Sequence, residues 1–368
     1  MAGSFSYHRF TTSTAMPSRI IQTETTFILP DLLANWPFQA EPNPQQDIVA
    51  ESAVWVESFA ALEPKVQEAY NRCRLGLLAS FAYPHAQGPH FRSACDLMNL
   101  SFVFDERVDR DSGRGVRHQT QEMMNALRHP YQNAGANEGV VGVMTRDFWL
   151  RSLSSAGTNH EAAQRFVRDT QVYTDAVCQR SLDRDAGYVR SIDEYMAVRR
   201  GTIGFRPSLF YILLEDDLPD EIVEHPVIKK LIDLATDMMI IANDICSYNV
   251  EQARGDDMTN LVRIAMREKN LDLQASMDFI GSMNTQLAAD FIASYAELPS
   301  FSPEIDQRVK DFCWGVGNWV TASVKWNFAT ERYFGKEGPQ IQRHRCVRLA
   351  PKRADARRHS ISRAQTSM

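Results

Sequence analysis

The sequence predicts an all-α protein, a large bundle whose helices surround a central space. Three observations carry this reading. Apolar residues recur at three- and four-residue spacing over long windows from about Gln46 onward, as at Val54, Phe59, Leu62 and Val66. Alternating β-branched runs are almost absent, and the windows are separated by short breakers. The helical domain spans roughly residues 46–336, too long for a minimal four-helix bundle, and it lacks the fixed period a helical solenoid requires.

Composition agrees. The chain has 368 residues, 44% hydrophobic and 23% charged, which excludes a disordered chain, a collagen and a disulfide-stapled miniature. Its longest apolar run, residues 238–242, is far short of the roughly 20 residues that cross a bilayer. No basic, apolar, small-residue leader opens the sequence, so a cytoplasmic protein without a membrane anchor is expected.

The elements are read in chain order. Residues 1–25, rich in Ser and Thr and without periodicity, read as a mobile arm. Residues 27–44 carry Pro30, Pro37, Pro42 and Pro44, which rule out a continuous helix and predict an extended segment laid across the body. The helical windows are then punctuated at Tyr83–Pro84, Asp111–Ser112–Gly113, His129–Pro130, Leu298–Pro299 and Ser302–Pro303. Cysteines 73, 95, 178, 246, 313 and 346 stand singly, with no pair at zinc or redox spacing, and read mostly as buried small apolar residues. The main domain is drawn at residues 26–340. Residues 341–368 hold eight Lys and Arg against one acid, Asp355, and read as a basic, disordered tail. The net charge of −6 becomes −13 without them, which would repel a nucleic-acid backbone.

Two acidic clusters carry the chemistry. Cys95, Met98, Phe102, Asp105 and Asp109 form one helical stripe, apolar for two turns and then acidic, within the string DERVD. Carboxylates ending a core-facing stripe need a compensating cation. Two aspartates at i, i+4 can present hard oxygen ligands to one divalent ion. The plainer reading is an acidic surface helix end paired with Arg107 and Arg110. Further on, Ile240, Asn243, Ser247 and Glu251 step by three, four and four, so an apolar face runs into an amide, a hydroxyl and a carboxylate. That is a second divalent-cation cradle, or else a polar stripe between packed helices. Together the clusters suggest a substrate with a polyanionic head and a hydrocarbon body, such as an isoprenoid diphosphate.

On these residues the sequence resembles a class I terpene synthase, in detail a fungal, basidiomycete-type sesquiterpene synthase. DERVD is similar to the family's aspartate-rich motif D-[DE]-x-x-D, and NDICSYNVE, residues 243–251, matches N-D-x-x-S-x-x-x-E at every defined position. Similarity extends from Leu29, Pro30 and Asp31 to Arg332 and Tyr333. The resemblance implies a helical bundle around a central active-site cavity, with Asp105, Asp109, Asn243, Ser247 and Glu251 as metal ligands. It further implies three Mg²⁺ ions, replaceable by Mn²⁺, and farnesyl diphosphate as substrate. In Arg199–Arg200–Gly201–Thr202–Ile203–Gly204 the family's diphosphate sensor falls on Arg199, with Arg200 as the alternative register. Arg332 and Tyr333 resemble the C-terminal pair that reaches the diphosphate. Val250 departs from the lysine of many bacterial relatives, so Arg254 is the candidate for the missing contact.

The implied reaction is ionisation of farnesyl diphosphate and cyclisation of the resulting cation to a sesquiterpene hydrocarbon or alcohol. Aromatic faces would shield that cation, each by about 0.5–2 kcal/mol. Phe102, one turn before Asp105, is the first candidate, ahead of Phe81, Phe210 and Trp314, although core packing explains any one of them. Two alternatives are a catalytically silent isoprenoid-diphosphate binding protein and a chain-elongating prenyltransferase, the latter requiring a second aspartate-rich motif that is missing here. A monomer or a homodimer is expected.

Overall fold

The computed structural model describes residues 25–132, 135, 138–156, 160–213 and 218–353. Most of the expected N-terminal arm, residues 1–24, and residues 354–368 of the basic tail lie outside them.

A short strand, β1 (Thr26–Ile28), precedes the helices. These begin with α1 (Gln46–Ser58), α2 (Pro64–Asn71), α3 (Leu75–Ala82), α4 (Gly88–Val108), α5 (Gly113–Arg128), α6 (Val140–Ala156) and α7 (His160–Ala186). Next come α8 (Ile192–Thr202), the single turns α9 (Phe205–Ser208), α10 (Phe210–Leu213) and α11 (Asp220–Val223), and the long α12 (Pro226–Arg254). The series closes with α13 (Leu261–Glu268), α14 (Leu273–Ala296), α15 (Pro303–Ala329), α16 (Gly338–His344) and a last strand, β2 (Cys346–Arg348).

Local signals set the helix ends. Ser112, Asp272 and Ser302 each accept a hydrogen bond from the backbone N–H three residues on, satisfying a donor the first turn leaves open. Ser191 and Glu194 complete a reciprocal capping box on α8. Of the breakers read from sequence, Ser112 and Ser302 are N-caps, and Tyr83 and His129 are C-caps.

α12 is the axis of the fold, packed against α14, α15, α8 and α13. Its first half joins a large core with α3, α4, α6 and α15, while its second half, through Ile240, Ile241, Ile245 and Cys246, joins a smaller core with α8, α13 and the two strands. Four of the six cysteines are buried and all are free thiols. Among the described residues no helix is long and apolar enough to cross a membrane.

Residues 29–44 cross the body without a helix, as the prolines require, with a turn at Leu32–Asn35, and are pinned by polar contacts. The Trp36 indole donates to Gly317 O, Thr321 Oγ1 donates to Phe38 O, and Asn284 Nδ2 donates to Leu32 O.

The C-terminal boundary needs correction. Residue 340 falls inside α16, whose Ile341 is buried, and β2 pairs antiparallel with β1. Val347 is only 2% exposed. Beyond it, Asn249 on α12 donates to Arg348 O and accepts from Ala350 N, and Arg353 N donates to Ala253 O. Residues 341–353 therefore form a strap along the end of α12. A segment of alternating basic and apolar residues shows no helical period, yet one strand needs only Val347 turned inward.

Candidate active site

α4 presents the first acidic cluster. Asp105 ends its inner face, and Asp109 is the C-cap. Neither arginine of the DERVDR string neutralises Asp105: Arg110 pairs with Glu106 at 3.2 Å, and Arg107 donates to Gln119 Oε1 and Ala61 O. The partners come from α7. Tyr173 donates its hydroxyl to Asp105 Oδ1 at 3.1 Å. Arg180 Nη2 lies 2.8 Å from Asp109 Oδ1 and 3.9 Å from Asp105 Oδ1. Arg184 donates to the carbonyls of Asp109 and Asp111. Burial raises the Asp105 carboxyl above its ordinary range, Arg180 opposes the rise, and Asp109 adds to it. Its side chain is still 36% exposed, so it can reach a ligand arriving from solvent.

α12 presents the second cluster. Asn243, Ser247 and Glu251 lie on successive turns, three hard oxygen donors on one stripe. Burial, reinforced by Asp244, pushes Glu251 up to about 7. α12 then stops in a Schellman motif: Gly255, at φ 81°, lets its N–H reach Gln252 O and lets Asp256 N reach Glu251 O. The chain turns back through residues 257–259 to Asn260, the N-cap of α13. There Asn260 Nδ2 meets Ser247 Oγ at 3.2 Å and Glu251 Oε2 at 2.9 Å.

The oxygens fit a divalent cation. They are all hard, and those of Ser247 and Glu251 converge closely enough for one N–H₂ group to address both. Among the described residues no cluster of three or more His, Cys, Asp or Glu gathers that could hold a metal ion.

Arg199 joins the two halves. Its Nη2 donates to Asn243 Oδ1 at 2.9 Å, and its charge is felt by Asp105, Asp244 and Glu251. Arg200 does not take part: it forms a two-pronged pair with Asp237 at 2.6 and 2.7 Å and is 45% exposed. A left-handed Gly204, φ 73°, ends the turn after α8 and starts α9. Asp244 accepts from the Tyr195 hydroxyl and from Leu261 N and lies 3.9 Å from Arg199 Nε, so it ties α12 to α8 and α13.

Arg332 and Tyr333 arrive from the end of α15. The Tyr333 hydroxyl accepts from both Asn243 Nδ2 at 2.8 Å and Arg332 Nε at 2.9 Å. One polar chain thus runs Arg199, Asn243, Tyr333, Arg332. The Arg332 guanidinium is caged by rings rather than carboxylates, with Phe102, Tyr333 and Trp326 centroids at 5.0, 5.3 and 5.8 Å.

Other candidates lie elsewhere. Arg254 lies one turn past Glu251 at the exposed end of α12, and among the described residues no hydrogen bond or ion pair links it to the cradle. Phe210 is buried among Trp149, Phe166 and Tyr211, a core position. Trp314 packs near the His85 ring, and Phe81 is half-buried against the larger core. A small pocket has Leu97, Ser101, Phe148, Tyr173, Gly204 and Pro207 among its walls, and the Tyr173 hydroxyl links that wall to Asp105.

The sequence reading missed Tyr173, Arg180, Arg184 and Asn260. The first three share a stripe on α7 at steps of seven and four, a signal that was present. Asn260 was readable only as a helix cap.

Residues 96–290 match the family model described as "Terpene synthase family 2, C-terminal metal binding". A Delta(6)-protoilludene synthase from Armillaria gallica is 42% identical over 88% of this chain and 94% of its own. Sesquiterpene synthase 9 from Postia placenta is 38% identical over 90% of this chain and 97% of its own. Among solved structures, α-eudesmol synthase aligns with a TM-score of 0.70 at 21% identity, covering 80% of this chain and 97% of that one, a likeness of fold. The architecture is that of the class I terpene synthases. The chain belongs to terpene synthase family 2 and is a terpene cyclase.

Proposed function

We propose that this enzyme is a Mg²⁺-dependent sesquiterpene synthase that ionises farnesyl diphosphate, releases diphosphate and cyclises the farnesyl cation. The observation that carries the proposal is Arg199, a single guanidinium bonded to Asn243 and within the field of both Asp105 and Glu251. A diphosphate brought between the two acidic helices would meet that cation. The names of the Armillaria and Postia relatives support the sesquiterpene class.

Asp105, Asn243, Ser247 and Glu251, with Asp109 behind Asp105, would hold the divalent ions, which when bound would supply positive charge to the leaving diphosphate. Arg199 and Arg332 offer N–H donors where negative charge grows on the departing oxygens. Tyr333 orients both Asn243 and Arg332 through one hydroxyl. Tyr173 and Arg180 hold the Asp105 carboxylate in place. Phe102 and Trp326 present aromatic faces next to Arg332, suited to a passing positive charge. Apolar side chains from α4 and α7 keep water from that cation.

The test is incubation of purified protein with farnesyl, geranyl and geranylgeranyl diphosphates, with and without Mg²⁺, reading released diphosphate and volatile products by mass spectrometry. Farnesyl diphosphate should give cyclic C15 products only when metal is present. Delta(6)-protoilludene is the first standard to compare, given the names of the relatives. Metal-independent turnover, or condensation to longer chains, would overturn the proposal.

A further inference from the structure

The side chain of Asn260 makes four hydrogen bonds while 1% exposed. Its Oδ1 accepts from Val262 N at 2.9 Å, capping α13. The two hydrogens of its Nδ2 reach Asp244 O at 2.9 Å and Glu251 Oε2 at 2.9 Å, with Ser247 Oγ at 3.2 Å sharing one of them. A helix cap needs only the first of these. The other three go to one face of α12, and two of the acceptors are implied metal ligands.

The consequence lies in which lone pairs remain. Glu251 has one oxygen bound by Asn260, which fixes the carboxylate plane and leaves Oε1 unengaged by Asn260. Ser247 Oγ accepts from Nδ2 at 3.2 Å, lies 3.4 Å from Asp244 O, and its hydroxyl also bonds the Glu251 carboxylate, so the amide ties both side chains into one network. Without Nδ2, Glu251 would sample several rotamers and the Ser247 hydroxyl could turn its hydrogen into the cradle. Outer partners of this kind commonly alter metal affinity by about 10–100-fold.

We propose that Asn260 is a positioning residue for the α12 metal cradle: its amide orients Ser247 and Glu251 for a divalent cation while its carbonyl caps α13. This rests on the metal-dependent reading of the site. It also gives the position of α13 a role, since the cap places the amide and the Schellman turn at Gly255 brings the chain back to it.

The experiment uses the full chain with Asn260→Ser and Asn260→Thr, both of which retain a capping oxygen. Three readings are taken: melting temperature without metal, melting temperature across a Mg²⁺ titration in the presence of inorganic diphosphate, and the Mg²⁺ concentration giving half-maximal turnover of farnesyl diphosphate. Both variants are expected to melt within a few degrees of wild type without metal. Each should need about 10-fold more Mg²⁺, or more still, for the thermal shift and for turnover. If wild type responds to Mg²⁺ and both variants respond at the same concentrations, the positioning role is overturned and the metal reading stands. If both variants lose the metal-free fold, Asn260 is a cap alone and the proposal fails. If wild type shows no Mg²⁺-dependent shift or turnover, the underlying reading fails and takes this proposal with it.

Discussion

The Arg332 guanidinium lies over the ring of Phe102, 5.0 Å from its centroid, and Phe102 in turn meets Trp326 edge-on at 5.5 Å. Phe102 therefore has a partner that the sequence did not suggest: before any carbocation forms, its face already holds a protein cation. A cation over a partly desolvated ring contributes about 1 kcal/mol. Phe102→Leu should weaken binding of inorganic diphosphate with Mg²⁺ by about 5-fold, measured by calorimetry, with a melting temperature within a few degrees of wild type. Unchanged binding beside a shift toward less cyclised products would instead mean that the ring acts on the substrate cation directly.

Asp105→Ala should lower turnover by at least about 100-fold, because the carboxylate holds charge needed only as the leaving group departs. Stability should hold or rise. Burial already disfavours the charged form of Asp105, so its removal relieves a cost. Single-turnover diphosphate release and a thermal melt decide this; full activity would remove Asp105 from the mechanism.

Glu251 gives a pH signature. Its carboxyl in the metal-free fold is pushed up to about 7 from an ordinary 4.5. Between those values the folded protein holds a proton that the unfolded chain has released, so stability is lost as pH rises from about 4.5 through about 7. Glu251→Gln should flatten that fall and melt a few degrees higher than wild type at pH 8 without metal, while losing most of its turnover. Parallel melting curves for the two proteins across this range would contradict the assignment.

Truncation separates the strap from the residues beyond it. Ending the chain after residue 353 should leave melting and products unchanged. Ending it after residue 340 removes the buried Val347 and Ile341 and the bonds to Asn249. Burial of Val347 alone is worth about 1.5–3 kcal/mol, so the shorter chain should melt several degrees lower. Equal melting temperatures would show the strap to be unattached in solution.

The helical class, the break in helix over residues 27–44 and the α12 stripe were legible because each is local: a spacing or a proline states it directly. Arg199 was separable from Arg200 only in three dimensions, since which of two neighbours faces α12 depends on how α8 is rotated. The pairing of Tyr173 and Arg180 with α4 spans some seventy residues, and spacing within one helix says nothing of the helix beside it. The strap was misread for the opposite reason. Its few apolar residues are too sparse for a helix, yet they suffice for a single strand whose partner lies at the other end of the sequence.

The pairing of Thr26–Ile28 with Cys346–Arg348 also sets an order of assembly. A contact between segments more than three hundred residues apart carries a large closure entropy and forms after local helices have packed. Synthesis runs from the N-terminus, so β1 waits unpaired while every helix is made. The same late segment lies along α12 at Asn249 and Gln252, beside Glu251. The stretch of α12 that carries Glu251 thus acquires its backing only when the last strand arrives, so this end of the helix is among the last parts of the fold to be fixed.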